Sequence, residues 1–486
     1  MKDIRTLQPS ALWNNFYSIT RVPRPSGKKE AIARMLVDYG KSLGLETLQD
    51  EIGNVLIRKP ASPGCEHLPG VILQGHMDMV PQKAGDKVFD FEKDAIEAHI
   101  SDDGEWVTAD RTTLGADNGI GVATAMAVLA DKSLKHPPLE AFFTVDEETG
   151  MYGAFDLKGG WLQGKILLNL DSETEGELFV GCAGGIDGNI TFRYFEADVP
   201  EGDAALKIHI SGLHGGHSGC DINLQRANAN KLMFRFLKEA VENYEARLAS
   251  ISGGTLRNAI PFECTAVITV PRDGVDDING LAEEFAELFN REYQGIENTI
   301  SLTVERCNTP SGLIPEEVQD DLINAITACP HGVYRVIPEM PEIVETSNNL
   351  AIVVSDGSSI KLQTLTRSSV ESRKEEVASM IESLFRLAGA KVEMTGSYPG
   401  WKPNLQSTIL NTMKNTYHKL YNKEARIVII HAGLECGIIG RNYPDMDMIS
   451  FGPTILHPHS PSEKVNIESV QRFWDLLIAT LAKLAE

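Results

Sequence analysis

The chain has 486 residues, of which 42% are hydrophobic and 23% are charged, and its formal net charge is −23. This length exceeds that of one ordinary domain, so we expect two or three domains with the composition of a soluble globular protein. Because nucleic acids and anionic membranes repel an acidic surface, the charge argues against both as partners.

The seven cysteines are scattered along the chain and form no C-x-x-C pair. This pattern is typical of reduced thiols in a cytoplasm rather than of a secreted disulfide framework. The N-terminal residues carry charges and no apolar stretch, and no run of about 18 apolar residues occurs. We therefore expect a cytoplasmic protein with neither a signal peptide nor a membrane span.

The N-terminal part of the chain alternates between helical and strand-like patterns. Helices are predicted over residues 28–43 and 118–131, and strands over residues 54–58, 71–74, 141–145 and 166–170. This alternation predicts a mostly parallel sheet with helices on both faces. Ligands of such sheets bind beyond the carboxyl ends of the strands. Acidic and histidine residues follow the apolar runs here, on the side that this rule requires.

From about residue 190 to residue 394 the pattern indicates an α+β arrangement. Its predicted strands cover residues 205–210, 264–270, 350–354 and 360–365, and its helices cover residues 228–246, 278–293 and 374–387. The α/β pattern then returns, with strands at 426–430 and 446–451 and a helix at 467–484. We therefore predict a discontinuous catalytic domain of residues 1–186 and 397–486, interrupted by an inserted domain of residues 187–396.

Five short segments contain carboxylates and imidazoles that could hold metal ions. They are His76-Met77-Asp78, Asp117-Asn118, Glu147-Glu148, Asp171-Ser172-Glu173 and His457-Pro458-His459. A divalent metal site needs three or four deprotonated ligands on rigid supports. The chain has the parts of two such sites, which predicts a hydrolase that uses a metal-activated water.

Each segment also has a simpler explanation when it is taken alone. Asp117 precedes a predicted helix, where the helix N-terminus stabilises an anionic ligand, but an ordinary N-cap would look the same. His76 and Asp78 share one face of a strand end, as a ligand with its orienting partner or as a plain polar pair. Glu147 and Glu148 could divide into general base and ligand, or form a solvated acidic turn.

The remaining candidates are equally ambiguous when each is taken alone. Asp171 could be a ligand or part of an acidic surface loop. His457 and His459 compete for the position of the late ligand.

The joint order of these motifs resembles the co-catalytic zinc peptidases of the aminoacylase/carboxypeptidase G clan, in which an inserted lid domain splits the catalytic domain. Longer strings are similar to the aminoacyl-histidine dipeptidase branch of that clan. They are LQGHMDMVPQ (73–82), TLGADNGIG (113–121), GGHSG (215–219), GTLRNAIP (254–261) and HAGLECG (431–437). The resemblance covers essentially the whole chain.

The resemblance implies a centre with two zinc ions, for which cobalt or manganese could substitute. Asp117 would bridge the two ions. His76 and Asp171 would complete one site, and Glu148 and His459 would complete the other.

The resemblance also implies two further roles at this centre. Glu147 would be the general base that takes a proton from the metal-bridging water, and Asp78 would brace His76. For the late ligand it favours His459 over His457, because the family motif there is Pro-His-Ser-Pro with an acidic residue four positions after the histidine.

The substrate-binding residues are likewise implied by the resemblance. His217 matches a residue that holds the carbonyl oxygen as it becomes an oxyanion, often across a dimer. Asn258 and Arg367 match lid residues that bind the substrate backbone and carboxylate, for which a guanidinium offers a bidentate fork. Gly433 and Glu435 lie beside the metals in the family pattern, where Glu435 could receive the free amine or orient a neighbouring group.

The resulting prediction is a cytoplasmic, homodimeric zinc dipeptidase. Its substrates would be dipeptides with free termini, including Xaa-His dipeptides such as beta-Ala-His. Two alternatives remain open. The same site could remove the acyl group from N-acyl amino acids, or the chain could be a non-catalytic binding protein on the same scaffold.

Overall fold

A computed structural model describes residues 2–486 and divides the chain into two compact units. Unit 1 comprises the chain up to Gly181, Pro403–Ile429 and Leu434–Glu486, and unit 2 comprises Cys182–Lys402 and Ile430–Gly433. The predicted domain boundaries, after residues 186 and 396, lie a few residues from these limits, and the domain assignment stays a prediction. Nothing in the sequence predicts that Ile430–Gly433 returns to unit 2.

The helices and strands are numbered here in chain order. The first part contains α1 (Ser10–Thr20), α2 (Glu30–Ser42), β1 (Glu46–Gln49), β2 (Val55–Lys59), β3 (Val71–His76), β4 (Ala98–Ile100), β5 (Trp106–Ala109), α3 (Ala116–Ala130), β6 (Leu139–Thr144), α4 (Glu147–Gly150), α5 (Tyr152–Asp156), β7 (Ile166–Asn169) and β8 (Glu177–Cys182).

The middle part contains β9 (Gly184–Arg193), β10 (Ala204–Ser211), β11 (Gly216–His217), α6 (Ala229–Tyr244), β12 (Arg247–Gly253), β13 (Ala259–Ile260), β14 (Cys264–Val270), α7 (Val275–Glu292), β15 (Ser301–Arg306), α8 (Glu316–Ala328), β16 (Gly332–Ile337), β17 (Met340–Ser355), β18 (Ser359–Ser368), α9 (Glu371–Leu387) and β19 (Lys391–Tyr398). The last part contains α10 (Thr408–Tyr421), β20 (Arg426–Ile430), α11 (Glu435–Asn442), β21 (Asp447–Ser450), β22 (Ile455–Leu456), β23 (Lys464–Asn466) and α12 (Ile467–Leu484).

The main sheet of unit 1 has eight strands in the order β1-β2-β6-β3-β7-β21-β8-β20. The four central strands, β6, β3, β7 and β21, pair in parallel. The β1–β2, β2–β6 and β21–β8 pairings are antiparallel, so the parallel arrangement predicted from the sequence holds for the centre of the sheet. Strands β3 and β6 are buried along their whole length, which explains why they appear as continuous apolar runs.

The carboxyl ends of these parallel strands carry the acidic and histidine motifs. His76 ends β3, Glu147 follows β6 by three residues, and Asp171 follows β7 by two. Because the carboxyl ends of neighbouring parallel strands meet at one edge of a sheet, the fold brings these side chains together.

Unit 2 is built on a nine-stranded sheet. Eight strands follow the order β15-β10-β14-β12-β17-β18-β9-β19, and β16 pairs with β17. The neighbouring strands pair in antiparallel fashion, and helices α6, α7, α8 and α9 contribute buried apolar residues to the same core as the sheet. Across residues 2–486, no helix combines the length and the apolar character that a membrane crossing requires.

Candidate metal centre

Asp117 lies at the centre of the charged cluster in unit 1. Its Oδ1 lies 3.0 Å from Nε2 of His76, and its Oδ2 lies 3.1 Å from Nε2 of His459. Its own backbone is not helical (φ −81°, ψ 111°), so the regular part of α3 begins beyond it. Each oxygen of this buried carboxylate faces a different imidazole, which is the arrangement that a bridging ligand needs.

The first candidate ion site is formed by His76, Asp117 and Asp171. Their ligand atoms all lie within 4.8 Å of one another, and Nε2 of His76 is 3.3 Å from Oδ1 of Asp171. The other ring nitrogen of His76 lies 3.4 Å from Oδ1 of Asp78 and 3.2 Å from its backbone oxygen. Nε2 therefore faces the cluster while Nδ1 is braced by Asp78, as expected for a metal-binding histidine.

The second candidate ion site is formed by Asp117, Glu148 and His459. Oε2 of Glu148 lies 3.0 Å from Nε2 of His459. His457 is exposed and belongs to none of the potential ligand groups within residues 2–486. The structure thus places His459, and not His457, beside the other candidate ligands.

The electrostatics of the cluster fit two divalent cations. Oε1 of Glu148 is buried without a hydrogen-bond partner in the described part of the chain, and the buried Oδ1 of Asp171 lies 3.3 Å from Nε2 of His76. Burial, reinforced by the charges of Asp117 and Glu148, raises the pKa of Asp171 to about 6. Hydrogen bonds to Asp117 and Glu148 raise the pKa of His459 to about 11. The oxygen and nitrogen donors of the cluster suit zinc, manganese or cobalt.

Glu147 is adjacent to this cluster and forms a third group of potential ligand atoms with His76 and Glu148. It begins α4 after Asp146, whose backbone is left-handed (φ 54°), and its N–H donates to Oδ1 of Asp78 at 3.1 Å. Burial raises the pKa of Glu147 well above its usual range, and Asp171 and Glu435 reinforce the shift. A carboxylate with a raised pKa beside metal ligands suits a general base.

Glu435 is buried at the start of α11. Its Oε2 accepts hydrogen bonds from Nε2 of Gln74 at 2.6 Å and from Oγ1 of Thr144 at 2.7 Å. Burial raises the pKa of Glu435 to about 7. Only 1% of Glu435 is exposed. Its contacts and burial therefore favour a role in orienting Gln74 and Thr144 over direct binding of a substrate amine, and the amine-binding role stays a prediction.

Arg367 is a buried cation in unit 2. It lies in β18, and its Nη1 donates to the hydroxyl of Tyr398 at 2.9 Å while Nε donates to Oγ of Ser218 at 3.4 Å. No carboxylate within residues 2–486 forms an ion pair with it. A guanidinium has five N–H donors, so this buried group retains donors and a charge for an anionic ligand.

His217 is held in one tautomer by backbone groups of its own loop. Its Nδ1 accepts N–H groups from Gly219 at 3.2 Å and Cys220 at 3.0 Å. Burial and the charge of Arg367 lower its pKa. The imidazole is therefore neutral, and its proton is on Nε2, where it can be donated to a ligand.

The other predicted residues of unit 2 are placed as follows. Asn258 is exposed, and its backbone oxygen accepts from the N–H of Ser218 at 2.8 Å. Gly433 ends the short segment Ile430–Gly433. Beside it, buried His431 pairs through Nε2 with Oγ of Ser347 at 2.7 Å, a contact that the sequence does not predict.

Two further buried residues, Arg24 and Glu463, contact the loops that carry the candidate ligands. They were not among the predicted site residues. For Glu463 a signal existed, since it lies four residues after His459 in the motif. For Arg24, an arginine in a proline-containing loop, the sequence has no comparable signal.

Comparison with known proteins finds similarity along nearly the whole chain. The model of Peptidase family M20/M25/M40 matches residues 72–483. The chain is 45% identical over 484 residues to the cytosol non-specific dipeptidase of Escherichia coli (strain K12), covering 100% of this chain and 99% of that protein. The crystal structure of aminoacylhistidine dipeptidase from Vibrio alginolyticus superposes with a TM-score of 0.94 at 46% identity, over 99% of this chain and 98% of that one. Aminopeptidase PepT from Bacillus cereus ATCC 10987 shares the fold, with a TM-score of 0.58 at 16% identity over 99% of this chain and 100% of that one.

Proposed function

This chain belongs to Peptidase family M20/M25/M40, as its motifs predicted, and from that premise we propose that it is a metal-dependent dipeptidase. The observation that carries the proposal is that Asp117 belongs to two of the three groups of potential ligand atoms within residues 2–486. Two relatives that match over nearly their whole length are named as dipeptidases. The substrates are dipeptides with free termini, both Xaa-His and broader sequences.

Two zinc ions are the proposed cofactors. His76 and Asp171 would hold one ion, Glu148 and His459 would hold the other, and Asp117 would be shared. Such ions would supply Lewis acidity for the scissile carbonyl group and a water molecule with a pKa lowered toward about 7. The buried Oε1 of Glu148, which has no hydrogen-bond partner within residues 2–486, supports this assignment.

Glu147 moves the proton in this proposal. Its carboxylate takes a proton from the attacking water and then passes it to the nitrogen of the leaving amine. Glu148 is paired with His459, whereas Glu147 is not, so the two neighbours have separate tasks. Asp78 orients the ring of His76 and also accepts a hydrogen bond from the backbone N–H of Glu147. One carboxylate therefore positions both the ligand His76 and the base Glu147.

The residues of unit 2 recognise the substrate. The guanidinium of Arg367 binds the C-terminal carboxylate of the dipeptide, supported by its burial without an anionic partner. His217 donates a hydrogen bond from its Nε2–H to the carbonyl oxygen as negative charge develops there. Asn258 binds the substrate backbone, Gly433 is a further substrate-binding residue, and Glu435 orients Gln74 or receives the free amine.

We propose that the protein forms a homodimer and is located in the cytoplasm. The Escherichia coli relative is named as a cytosolic protein. Within residues 2–486, none of the seven cysteines forms a disulfide bond.

A substrate panel tests this function. Metal-free protein is refilled with Zn²⁺, Mn²⁺ or Co²⁺ and assayed on Xaa-His dipeptides, other dipeptides and N-acetyl amino acids. Faster cleavage of dipeptides supports the proposal, whereas faster cleavage of N-acetyl amino acids would assign the site to a deacylase. Metal binding without turnover of either class would favour the binding-protein alternative.

A further inference from the structure

The loop that leads into Asp117 is bound by a buried carboxylate. Oε2 of Glu463 accepts the N–H groups of Leu114 at 2.7 Å and Gly115 at 2.9 Å. Its Oε1 accepts those of Ala116 at 2.7 Å and Asp117 at 3.2 Å. One side chain, 2% exposed, thus satisfies four consecutive backbone donors.

The same loop is held from its carbonyl side by a buried guanidinium. Arg24 donates through Nη2 to the backbone oxygen of Gly115, and through Nη1 to the oxygens of Met77 at 3.1 Å and Asp78 at 2.8 Å. Arg24 is also only 2% exposed. It therefore joins the loop that follows His76 to the loop that precedes Asp117.

Gly115 makes this close approach possible. Its backbone is left-handed (φ 70°), and a Cβ at this position would collide with the Arg24 guanidinium. Any other residue here would combine backbone strain with the loss of the hydrogen bond from Arg24. The loop is thus shaped to receive that side chain.

Glu463 also fixes the backbone from which Asp117 projects. It accepts the N–H of Asp117 itself as well as those of the three residues before it. From this backbone the two oxygens of Asp117 face His76 and His459.

From these contacts we propose that Arg24 and Glu463 are positioning residues that set the geometry of the Asp117 bridge. The inference rests on the proposed function, because it takes Asp117 as the ligand shared by two ions. The residues that follow Arg24 also donate hydrogen bonds to loops near the candidate ligands. Oγ of Ser26 donates to Asp78 at 2.7 Å, and the N–H of Gly27 donates to Asp146 at 2.6 Å, next to the catalytic glutamates.

The test compares three variants of the full chain. Glu463→Gln keeps the shape but replaces a carboxylate oxygen with an N–H₂ group that cannot accept. Arg24→Lys keeps the charge but loses the planar fork. Glu140→Gln is the matched control, because Glu140 is 5% exposed in the same unit and accepts the N–H groups of Gln163 and Gly164, both at 2.8 Å, away from the cluster.

Three properties are measured for each variant. They are the affinity for Zn²⁺ in competition with a chelator, the visible absorption spectrum of the Co²⁺-loaded protein, and the melting temperature of the metal-free protein. We expect Glu463→Gln and Arg24→Lys to weaken Zn²⁺ binding by about 10–100-fold and to alter the Co²⁺ spectrum. Glu140→Gln should lower only the melting temperature.

Wild-type affinity and an unchanged spectrum in both site variants would overturn the proposal. If Glu463→Gln does not fold, Arg24→Lys decides; if neither folds while Glu140→Gln does, the pair serves the fold and the proposal is wrong. None of these measurements uses a substrate. A wild-type protein that binds two ions but cleaves no dipeptide would therefore refute the proposed activity and leave this inference standing.

Discussion

The two units place histidine in opposite environments. In unit 1, hydrogen bonds to Asp117 and Glu148 raise the pKa of His459 to about 11. In unit 2, burial lowers the pKa of His331 to about 3 and that of His431 to about 3, with help from the positive charges of Lys231 and Arg367 respectively. His459 of unit 1 therefore lies among carboxylates, whereas His331 and His431 of unit 2 are neutral and lie near positive charges.

In the proposed function the two units bind ligands of opposite charge. The carboxylates of unit 1 would bind cations, and the guanidinium of Arg367 in unit 2, which forms no ion pair with a carboxylate within residues 2–486, would bind an anion. Each of the following variants changes a residue in only one of the two units.

Glu147→Gln removes the proton acceptor from unit 1 without removing a proposed ligand. We expect kcat for dipeptide hydrolysis to fall by about 10²–10⁴-fold, the usual contribution of a general base. Metal content, measured on the same sample, should equal that of the wild type. Wild-type turnover in this variant would exclude Glu147 as the base.

His217→Ala removes the neutral donor of unit 2. We expect kcat to fall by about 10²–10³-fold, as for the loss of one oxyanion-stabilising donor, with little change in Zn²⁺ affinity. Steady-state kinetics and a chelator competition assay measure the two effects. An unchanged kcat, or a loss of metal equal to the loss of turnover, would contradict the assigned role.

Arg367→Lys replaces the bidentate fork with a single point charge. We expect KM for a dipeptide to rise by about 10-fold, since one charge-assisted hydrogen bond is lost. The control substrate is the same dipeptide with a C-terminal amide, which lacks the carboxylate and should be cleaved about equally well by both proteins. An equal effect on both substrates would show that Arg367 does not bind the C-terminal carboxylate.

His331→Gln should have the smallest effect, on stability alone. Nδ1 of His331 accepts from Nδ2 of Asn228 at 3.2 Å, and burial lowers its pKa to about 3. Between the ordinary histidine pKa of about 6.5 and this value, the unfolded chain binds a proton that the folded chain does not. His331 therefore destabilises the fold as the pH falls through that range.

The variant should consequently lose less melting temperature than the wild type between pH 6.5 and pH 4. His67→Gln, a change at an exposed histidine of unit 1, is the control and should keep the wild-type slope. Parallel curves for His331→Gln and the wild type would contradict the neutral, buried state of His331.

Helices and strands were predictable from the sequence where apolar residues recur at a regular spacing within the element. The predicted strand at 264–270 and helix at 467–484 coincide with β14 and α12. Strand β17 was predicted only over 350–354 although it spans Met340–Ser355. Its earlier part is either exposed or contains the buried polar run Thr346-Ser347-Asn348-Asn349, so the period that marks a strand is absent there.

The candidate ligands were predictable for a similar reason, because each follows a strand or precedes a helix in a short motif. Arg24 and Glu463 were not predicted as site residues, because their contacts are to backbone groups far away in the chain. Glu463 accepts the N–H of Asp117 across 346 positions. The motif marks an acidic residue four positions after His459, but it does not tell which backbone groups that residue contacts, and Arg24 has no such signal.

The number of metal ions bound per chain tests the central claim most directly. Elemental analysis after equilibration with Zn²⁺ and removal of free metal is applied to the wild type, His459→Ala and His457→Ala. With Asp117 shared between two ions, the expected counts are two, one and two. Fewer than two ions in the wild type, or the same count in both histidine variants, would contradict the two-metal centre.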